Sequence, residues 1–227
     1  MIKAIIIDFN GTLFLDHDLN DYAWGKAFDS VRNKEISFKE FFETNIETLT
    51  KDYDFAKRIL ETFNKDSSLD SIKKLSEYKE NTYINEVVRQ NRNKLINGAP
   101  AFLDYLKNIN IPYCIASMAP RMNFDFYLEY LNLKKWFNYD NIVYDSKEYS
   151  NKNEQYLEAA KRMNVDISEC LLIEDSPKVI NRALDTGINN IIYMNTKNKP
   201  FHIKEIIQEV KDYTNLPILI KEIINNK

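Results

Sequence analysis

The stretch that decides the fold begins at the second residue and reads IKAIIIDFNGTL (residues 2–13). Its first six residues form a short run rich in β-branched isoleucine, with Lys3 as the one charged residue. Such a run is typical of a strand buried on both faces of a sheet. The run ends at Asp8. The stretch therefore predicts a buried strand that carries an acidic side chain at its carboxyl end.

Further along the chain, similar apolar runs alternate with segments of helical periodicity. Strands that alternate with helices favour right-handed crossovers and a parallel sheet. We therefore predict an α/β fold, a Rossmann-like parallel sheet with helices on both faces. The four further predicted strands are residues 112–116, 142–144, 170–173 and 190–194, and the predicted helices are residues 99–108, 124–133, 155–163 and 179–185.

Residues 26–97 contain no glycine and no proline, the strongest formers of turns. Apolar residues recur there at helical spacing, and Ser37 followed by Glu40 reads as a capping box that opens a helix. The aromatic side chains of this part are expected to form a core rather than a ligand-binding stripe. We therefore predict a helical domain at residues 16–95, inserted into an α/β core formed by residues 1–15 and 96–227.

The composition narrows the range of chemistry. Lys and Arg total 31 against 34 Asp and Glu, so the net charge is −3, which disfavours binding to nucleic acid. Only two histidines are present, His17 and His202, too few for a multi-histidine metal site and unfavourable for a Ser-His or Cys-His nucleophile. Carboxylates and a lysine are therefore expected to carry any chemistry.

The same composition bears on the compartment. Cys114 and Cys170 lie within apolar runs, which predicts buried, reduced thiols. We find no apolar run long enough to span a bilayer, and the first residues do not have the basic-then-apolar pattern of a secretion signal. We therefore expect a cytoplasmic protein with no membrane partner.

Polar side chains follow three of the predicted strands. Asp8 ends the first strand, Ser117 follows the second, and the pair Glu174–Asp175 ends the fourth. Because open α/β sheets bind ligands at the carboxyl ends of their strands, these groups are expected to converge on one crevice. The three carboxylates offer hard oxygen ligands suited to Mg²⁺. Each group also has a simpler structural role open to it: Asp8 as a turn cap, the acidic pair as a solvated strand end, and Ser117 as a helix N-cap.

These segments resemble the motifs of the haloacid dehalogenase superfamily. Residues 8–13 (DFNGTL) resemble its first motif, D-x-D-x-T/V, and residues 116–121 (ASMAPR) resemble the second. Residues 171–177 (LLIEDSP) resemble the fourth motif in its phosphatase and mutase form, and residues 16–24 resemble the start of the helical C1 cap in the β-phosphoglucomutase-like branch. The resemblance implies a Rossmann-like core whose cap closes over the crevice.

The resemblance also implies roles for individual residues. Asp8 would be the nucleophile that forms an aspartyl-phosphate, and Lys152 would be the catalytic lysine of the third motif, with Lys147 as the alternative position. Mg²⁺ would be held by Asp8, Asn10, Glu174 and Asp175. The phosphoryl group would be bound by Thr12, Ser117, Met118 and Lys152.

Asn10 departs from the family pattern, in which an aspartate at this position acts as general acid and base. An amide cannot exchange a proton in this way, and its presence would remove roughly 3 to 5 kcal/mol of barrier lowering. The chain would then be a slow phosphatase, or one suited to leaving groups that need little protonation, such as acyl phosphates. Alternatively, His17 or Asp18 would supply the acid, the asparagine would be a substitution made to trap an intermediate, or Asn10 would deamidate to aspartate.

The residues and the resemblance together predict Mg²⁺-dependent hydrolysis of a small phosphate monoester, slowed by Asn10. The alternative is a catalytically silent protein of the same fold that binds a phosphorylated ligand or a partner. The expected partner is a small phosphorylated metabolite. The chain is expected to be a monomer or a weak dimer.

Overall fold

The structure, a computed structural model, describes residues 1–45, 52–146 and 148–225. The chain forms two compact units. The first consists of Met1–Leu15 and Lys94–Lys227, and the second is Asp16–Asn93.

The first unit contains a six-stranded sheet in which all neighbouring strands are parallel. The strand order is β3-β2-β1-β4-β5-β6, so β1 lies near the middle with β2 on one side and β4 on the other. The predicted Rossmann-like parallel sheet is confirmed. The strands are β1 (Ala4–Ile7), β2 (Tyr113–Pro120), β3 (Ile142–Asp145), β4 (Cys170–Glu174), β5 (Ile191–Met194) and β6 (Ile206–Val210).

Helices accompany the sheet and build the second unit. On one face of the sheet, Tyr156 and Ile180, from the helices Lys152–Arg162 and Pro177–Ala183, lie in one core cluster with Ala4 and Ile6 of β1. The alternate residue Ile5 of β1 is also fully buried, so the other face is covered as well. The helices are α1 (His17–Val31), α2 (Phe38–Asn45), α3 (Asp52–Thr62), α4 (Leu69–Arg89), α5 (Ala99–Asn108), α6 (Arg121–Tyr130), α7 (Lys152–Arg162), α8 (Pro177–Ala183) and α9 (Leu216–Asn225).

The second unit consists of α1 to α4 around an aromatic core. The rings of Phe28 and Phe63 are 4.9 Å apart, and those of Trp24 and Phe55 are 4.7 Å apart. One hydrogen bond of the predicted capping box is present: the backbone N–H of Glu40 donates to the hydroxyl of Ser37, just before α2, at 3.1 Å. Trp24 and the phenylalanines of this unit therefore form a core, as expected, whereas Tyr22, Tyr53 and Tyr78 are exposed.

The sheet differs from the sequence prediction in the end of β2 and in an additional strand, β6. β2 continues past residue 116 to Pro120, with an irregular register against β3 between Ala116 and Pro120. β6 was not predicted, since it is an edge strand whose middle residues are exposed, and its sequence has no buried apolar run.

Both cysteines lie buried in the sheet. Burial raises the pKa of each thiol, Cys114 and Cys170, to about 12, so neither is a reactive thiolate at neutral pH. Among the described residues, no helix combines the length and the apolar character that a bilayer span requires.

Gly98, just before α5, lies in the left-handed region with φ +78°. A Cβ atom there would be 2.5 Å from the backbone nitrogen of Thr214, an atom that cannot turn away. We expect Gly98→Ala to lower the free energy of unfolding by about 2 to 5 kcal/mol, through left-handed strain and overpacking. Urea denaturation measures the change.

Gly187→Ala is the matched control for that substitution. Gly187 also has a positive φ, +97°, but a Cβ there would meet nothing closer than a side-chain carbon of Ile167 at 3.8 Å. Strain alone should cost about 1 to 2 kcal/mol. Equal losses for the two variants would show that the contact with Thr214 costs nothing.

Candidate active site

Three carboxylates meet at the carboxyl edge of the sheet. Asp8 directly follows β1, Glu174 ends β4, and Asp175 comes next in the chain. Because β1 and β4 are neighbouring parallel strands, with Ile7 opposite Ile173, their ends lie side by side. One oxygen from each carboxylate lies within 4.8 Å of the others, and all three residues are buried.

Lys152 lies beside this carboxylate cluster. Its Nζ forms an ion pair with Oδ1 of Asp8 and lies 3.8 Å from Oε2 of Glu174. Lys152 is the first residue of α7, and only 13% of its side chain is exposed. The structure therefore brings this predicted lysine to the predicted nucleophile. The alternative position, Lys147, lies outside the described residues.

Burial and charge shift the pKa values of these groups. Burial raises the pKa of Asp8, with Lys152 opposing the shift, and burial together with the charge of Asp8 holds the pKa of Glu174 well above its usual range. Burial alone would lower the pKa of Lys152, but the charges of Asp8 and Glu174 outweigh it and the pKa is raised. Lys152 is therefore a fixed positive charge, while the carboxylates lack full compensation.

Glu174 is held by neighbours at both of its oxygens. Oε1 accepts the backbone N–H groups of Asp175 at 3.1 Å and Ser176 at 3.0 Å, and Oε2 accepts the hydroxyl of Tyr156 at 2.8 Å. Tyr156 is fully buried on α7, one turn after Lys152. It was not predicted as part of the site, although the four-residue spacing from Lys152 places both on one helix face.

Asn10 and Ser117 are also brought together. The Ser117 hydroxyl donates to Oδ1 of Asn10 at 3.3 Å, and Nδ2 of Asn10 donates to the hydroxyl of Tyr127 at 3.3 Å. Ser117 does not cap α6: its Oγ accepts the backbone N–H of Ala119, and Pro120 is the N-cap. The helix-cap role considered for Ser117 is therefore wrong, because β2 runs on beyond it.

Thr12 lies behind Asp8 and is fully buried. Its hydroxyl helps to lower the pKa of Asp8, against the effect of burial, and its carbonyl oxygen accepts the hydroxyl of Tyr213 at 3.0 Å. Tyr213 was missed, because it follows a strand that the sequence does not predict. Met118 comes directly after Ser117 in β2 and is partly buried.

The two alternative acids lie in the second unit. His17 begins α1, and Asp18 forms an ion pair with Arg92 at 2.5 Å. Asp18 is thus already engaged by a guanidinium within its own unit.

The donor set of the carboxylate cluster fits a hard divalent cation. Asp8, Glu174 and Asp175 offer only carboxylate oxygens, which Mg²⁺ prefers over nitrogen or sulfur ligands. Buried carboxylates so close together repel one another, and a bound cation would relieve that repulsion. The residues present are therefore compatible with a magnesium site.

The chain is similar to several solved structures and to a curated protein. It matches a family IA, variant 3 HAD hydrolase from Entamoeba histolytica HM-1:IMSS with 29% identity and a TM-score of 0.80, over 97% of this chain and 100% of that one. A β-phosphoglucomutase from Clostridium difficile, 23% identical, shares the fold, with a TM-score of 0.76 over 100% of this chain and 98% of that one.

One relative is longer than this chain. The bifunctional riboflavin kinase/FMN phosphatase of Arabidopsis thaliana is 26% identical over 184 residues, which are 77% of this chain but only 44% of the relative. The chain thus spans less than half the length of that protein.

The family model for haloacid dehalogenase-like hydrolases matches residues 2–180. That range contains β1 to β4 and all three carboxylates of the cluster. This match spans well over half of the chain and includes the strands that present those carboxylates, so the chain belongs to the haloacid dehalogenase-like hydrolases.

Proposed function

We propose that this chain is a Mg²⁺-dependent phosphatase that acts on a small phosphate monoester, with Asp8 as the nucleophile. The observation that carries the proposal is the buried carboxylate of Asp8, ion-paired with Lys152 and within 4.8 Å of two further carboxylates. The Arabidopsis relative, whose name includes FMN phosphatase, supports phosphate ester chemistry.

In the proposed reaction, a carboxylate oxygen of Asp8 attacks phosphorus and the bond to the ester oxygen breaks. The leaving oxygen takes up a proton from solvent water, and the phosphoryl group stays on Asp8 as an acyl phosphate. Water then attacks this aspartyl-phosphate, which releases inorganic phosphate and restores Asp8. In the first step two anions, the carboxylate of Asp8 and the phosphoryl group, must approach each other, so a fixed positive charge nearby is required.

Lys152 supplies one such charge at Asp8 itself. Asp8, Glu174 and Asp175, together with Asn10, would hold Mg²⁺, whose charge offsets the repulsion between nucleophile and phosphoryl group when it is bound. The phosphoryl oxygens would be bound by Lys152 and by three residues that follow β1 or lie in β2: Thr12, Ser117 and Met118.

Asn10 makes this phosphatase slow in the proposed mechanism. Its amide is close to Ser117 but has no exchangeable proton of suitable pKa for the leaving oxygen. We also propose that the second unit, Asp16–Asn93, is the cap domain that selects the substrate. The sequence resemblance of residues 16–24 to the family cap supports this assignment.

A second candidate function follows from the same residue. Both ends of the Asn10 amide are engaged by hydroxyl groups, of Ser117 and of Tyr127, as in a structural rather than a proton-transferring group. The alternative is therefore a protein that binds a phosphorylated ligand without hydrolysing it.

Metal removal tests the proposal. We expect treatment with EDTA followed by gel filtration to reduce turnover of acetyl phosphate by about 10²-fold or more, because the buried carboxylates then lose their compensating charge. Added MgCl₂ should restore it. Turnover that survives EDTA would contradict the metal dependence. A wild type that binds inorganic phosphate in Mg²⁺ but turns over neither acetyl phosphate nor p-nitrophenyl phosphate would favour the binding protein.

A further inference from the structure

A second lysine touches the carboxylate cluster from the solvent side. Nζ of Lys197 lies 3.4 Å from Oδ2 of Asp175. The Asp175 side chain is only 6% exposed, whereas that of Lys197 is 40% exposed. The ion pair therefore joins a buried carboxylate of the cluster to an ammonium group that is in contact with solvent. Lys152, in contrast, reaches the cluster from the start of α7 with little exposure.

The loop that carries Lys197 is held in place by hydrogen bonds. It lies in the loop after β5, which is organised around the buried side chain of Asn195. Nδ2 of Asn195 donates to the carbonyl of Lys199 at 2.9 Å and to a carboxylate oxygen of Glu209 at 2.8 Å, while its Oδ1 accepts the backbone N–H of Lys199 at 2.8 Å. The loop is closed across its ends, with Lys197 at its middle.

The topology explains why this loop reaches the cluster. β4 and β5 are neighbouring parallel strands with Glu174 opposite Tyr193, so the residues after each strand lie side by side. The backbone N–H of Asn195 donates to the carbonyl of Val210 in β6 at 2.7 Å, which fixes the start of the loop. The position of Lys197 next to Asp175 thus follows from the sheet order.

We propose that Lys197 tunes the two ligands of the site in opposite directions, weakening the binding of Mg²⁺ and strengthening the binding of a phosphorylated substrate. This inference rests on the proposed function. The ammonium group competes with a divalent cation for the carboxylate of Asp175, and it repels that cation once bound. The same positive charge attracts the dianionic phosphate that binds at the carboxyl edge of the sheet.

The charge count agrees with this role. When all three carboxylates are ionised, as binding of a cation requires, they and the two lysines, Lys152 and Lys197, leave one net negative charge on the cluster. Binding of Mg²⁺ turns that charge to plus one, which suits a phosphate dianion. Without Lys197 the cluster would carry two negative charges, better for the cation and worse for the phosphate.

The test compares Lys197→Met with Lys199→Met. Both variants remove one positive charge from the same loop, but Lys199 contributes to the loop through its backbone. Calorimetric titration of metal-free protein with MgCl₂ and of Mg²⁺-saturated protein with inorganic phosphate gives the two affinities. For Lys197→Met we expect Mg²⁺ to bind about three- to tenfold tighter and phosphate about three- to tenfold weaker, the order that one unit charge at ~4 Å in water produces. Lys199→Met should stay within about twofold of the wild type.

Affinities of Lys197→Met that stay within twofold, or that move in the same direction, would overturn the role of Lys197 and leave the proposed function intact. The same holds if Lys199→Met gives equal shifts, since net charge alone would then be the cause. A wild type that binds no Mg²⁺ and turns over no substrate would overturn the proposed function and this inference together.

Discussion

Asp8→Asn is expected to abolish turnover of acetyl phosphate and p-nitrophenyl phosphate while the protein remains folded. The amide has nearly the shape of the carboxylate, but it is a poor nucleophile and offers a cation no charge. Loss of the covalent nucleophile in a serine hydrolase costs on the order of 10⁶-fold in kcat. Steady-state kinetics in saturating Mg²⁺ measure the loss, and circular dichroism monitors the fold.

Asp104→Asn is the matched control for this substitution. Asp104 pairs with Lys135 at 2.8 Å, so that variant also converts a lysine-bound aspartate to an amide. It lies on α5, outside the carboxylate cluster, and we expect its kcat to stay within twofold of the wild type. An Asp8→Asn variant that keeps a tenth or more of the wild-type kcat would rule out Asp8 as the nucleophile.

Asn10→Asp is expected to raise kcat by about 10²- to 10⁴-fold for substrates with poor leaving groups. An aspartate at this position can give a proton to the leaving oxygen and later take one from water. The site can hold it, because the hydroxyls of Ser117 and Tyr127, which now contact the amide, can both donate to a carboxylate. The predicted outcome is a faster enzyme with the same fold.

The choice of substrate provides the control for Asn10→Asp. An alkyl phosphate needs a proton on its leaving oxygen, whereas acetyl phosphate leaves as a stable carboxylate and needs little assistance. The gain in kcat should therefore be large for the alkyl ester and small for acetyl phosphate. Equal gains for both substrates would show that Asn10→Asp acts through something other than proton transfer, and no gain for either would favour the silent phosphoryl-ligand-binding protein.

The central strands could be predicted from the sequence because strands buried on both faces consist of continuous apolar residues. β1 and β4 are buried along their whole length, so each reads as a continuous apolar run that ends in a carboxylate. β6 has no continuous apolar run, since it is an edge strand whose middle residues are exposed. The sequence predicts a helix that begins at residue 124, whereas α6 begins at Arg121. The difference arises because the extension of β2 through Pro120 depends on its pairing with β3.

The part of the site that lies at the ends of buried strands could be predicted from the sequence. Residues at the ends of buried strands, such as Asp8 and Glu174, are located by the strands themselves. Tyr213 and Lys197 reach the site from segments that follow β6 and β5, and only the three-dimensional order of the strands shows that they arrive there.

The position of β1 between β2 and β4 also has a consequence for biosynthesis. Ile5 pairs with Tyr113 on one side and Leu171 on the other, so β1 is translated over a hundred residues before either of its neighbouring strands. At ordinary elongation speeds that delay is roughly 5 to 20 s. During this interval four consecutive apolar residues, Ala4–Ile7, have no sheet to enter. Until residue 113 is translated, we therefore expect this apolar segment of the nascent chain to be open to aggregation.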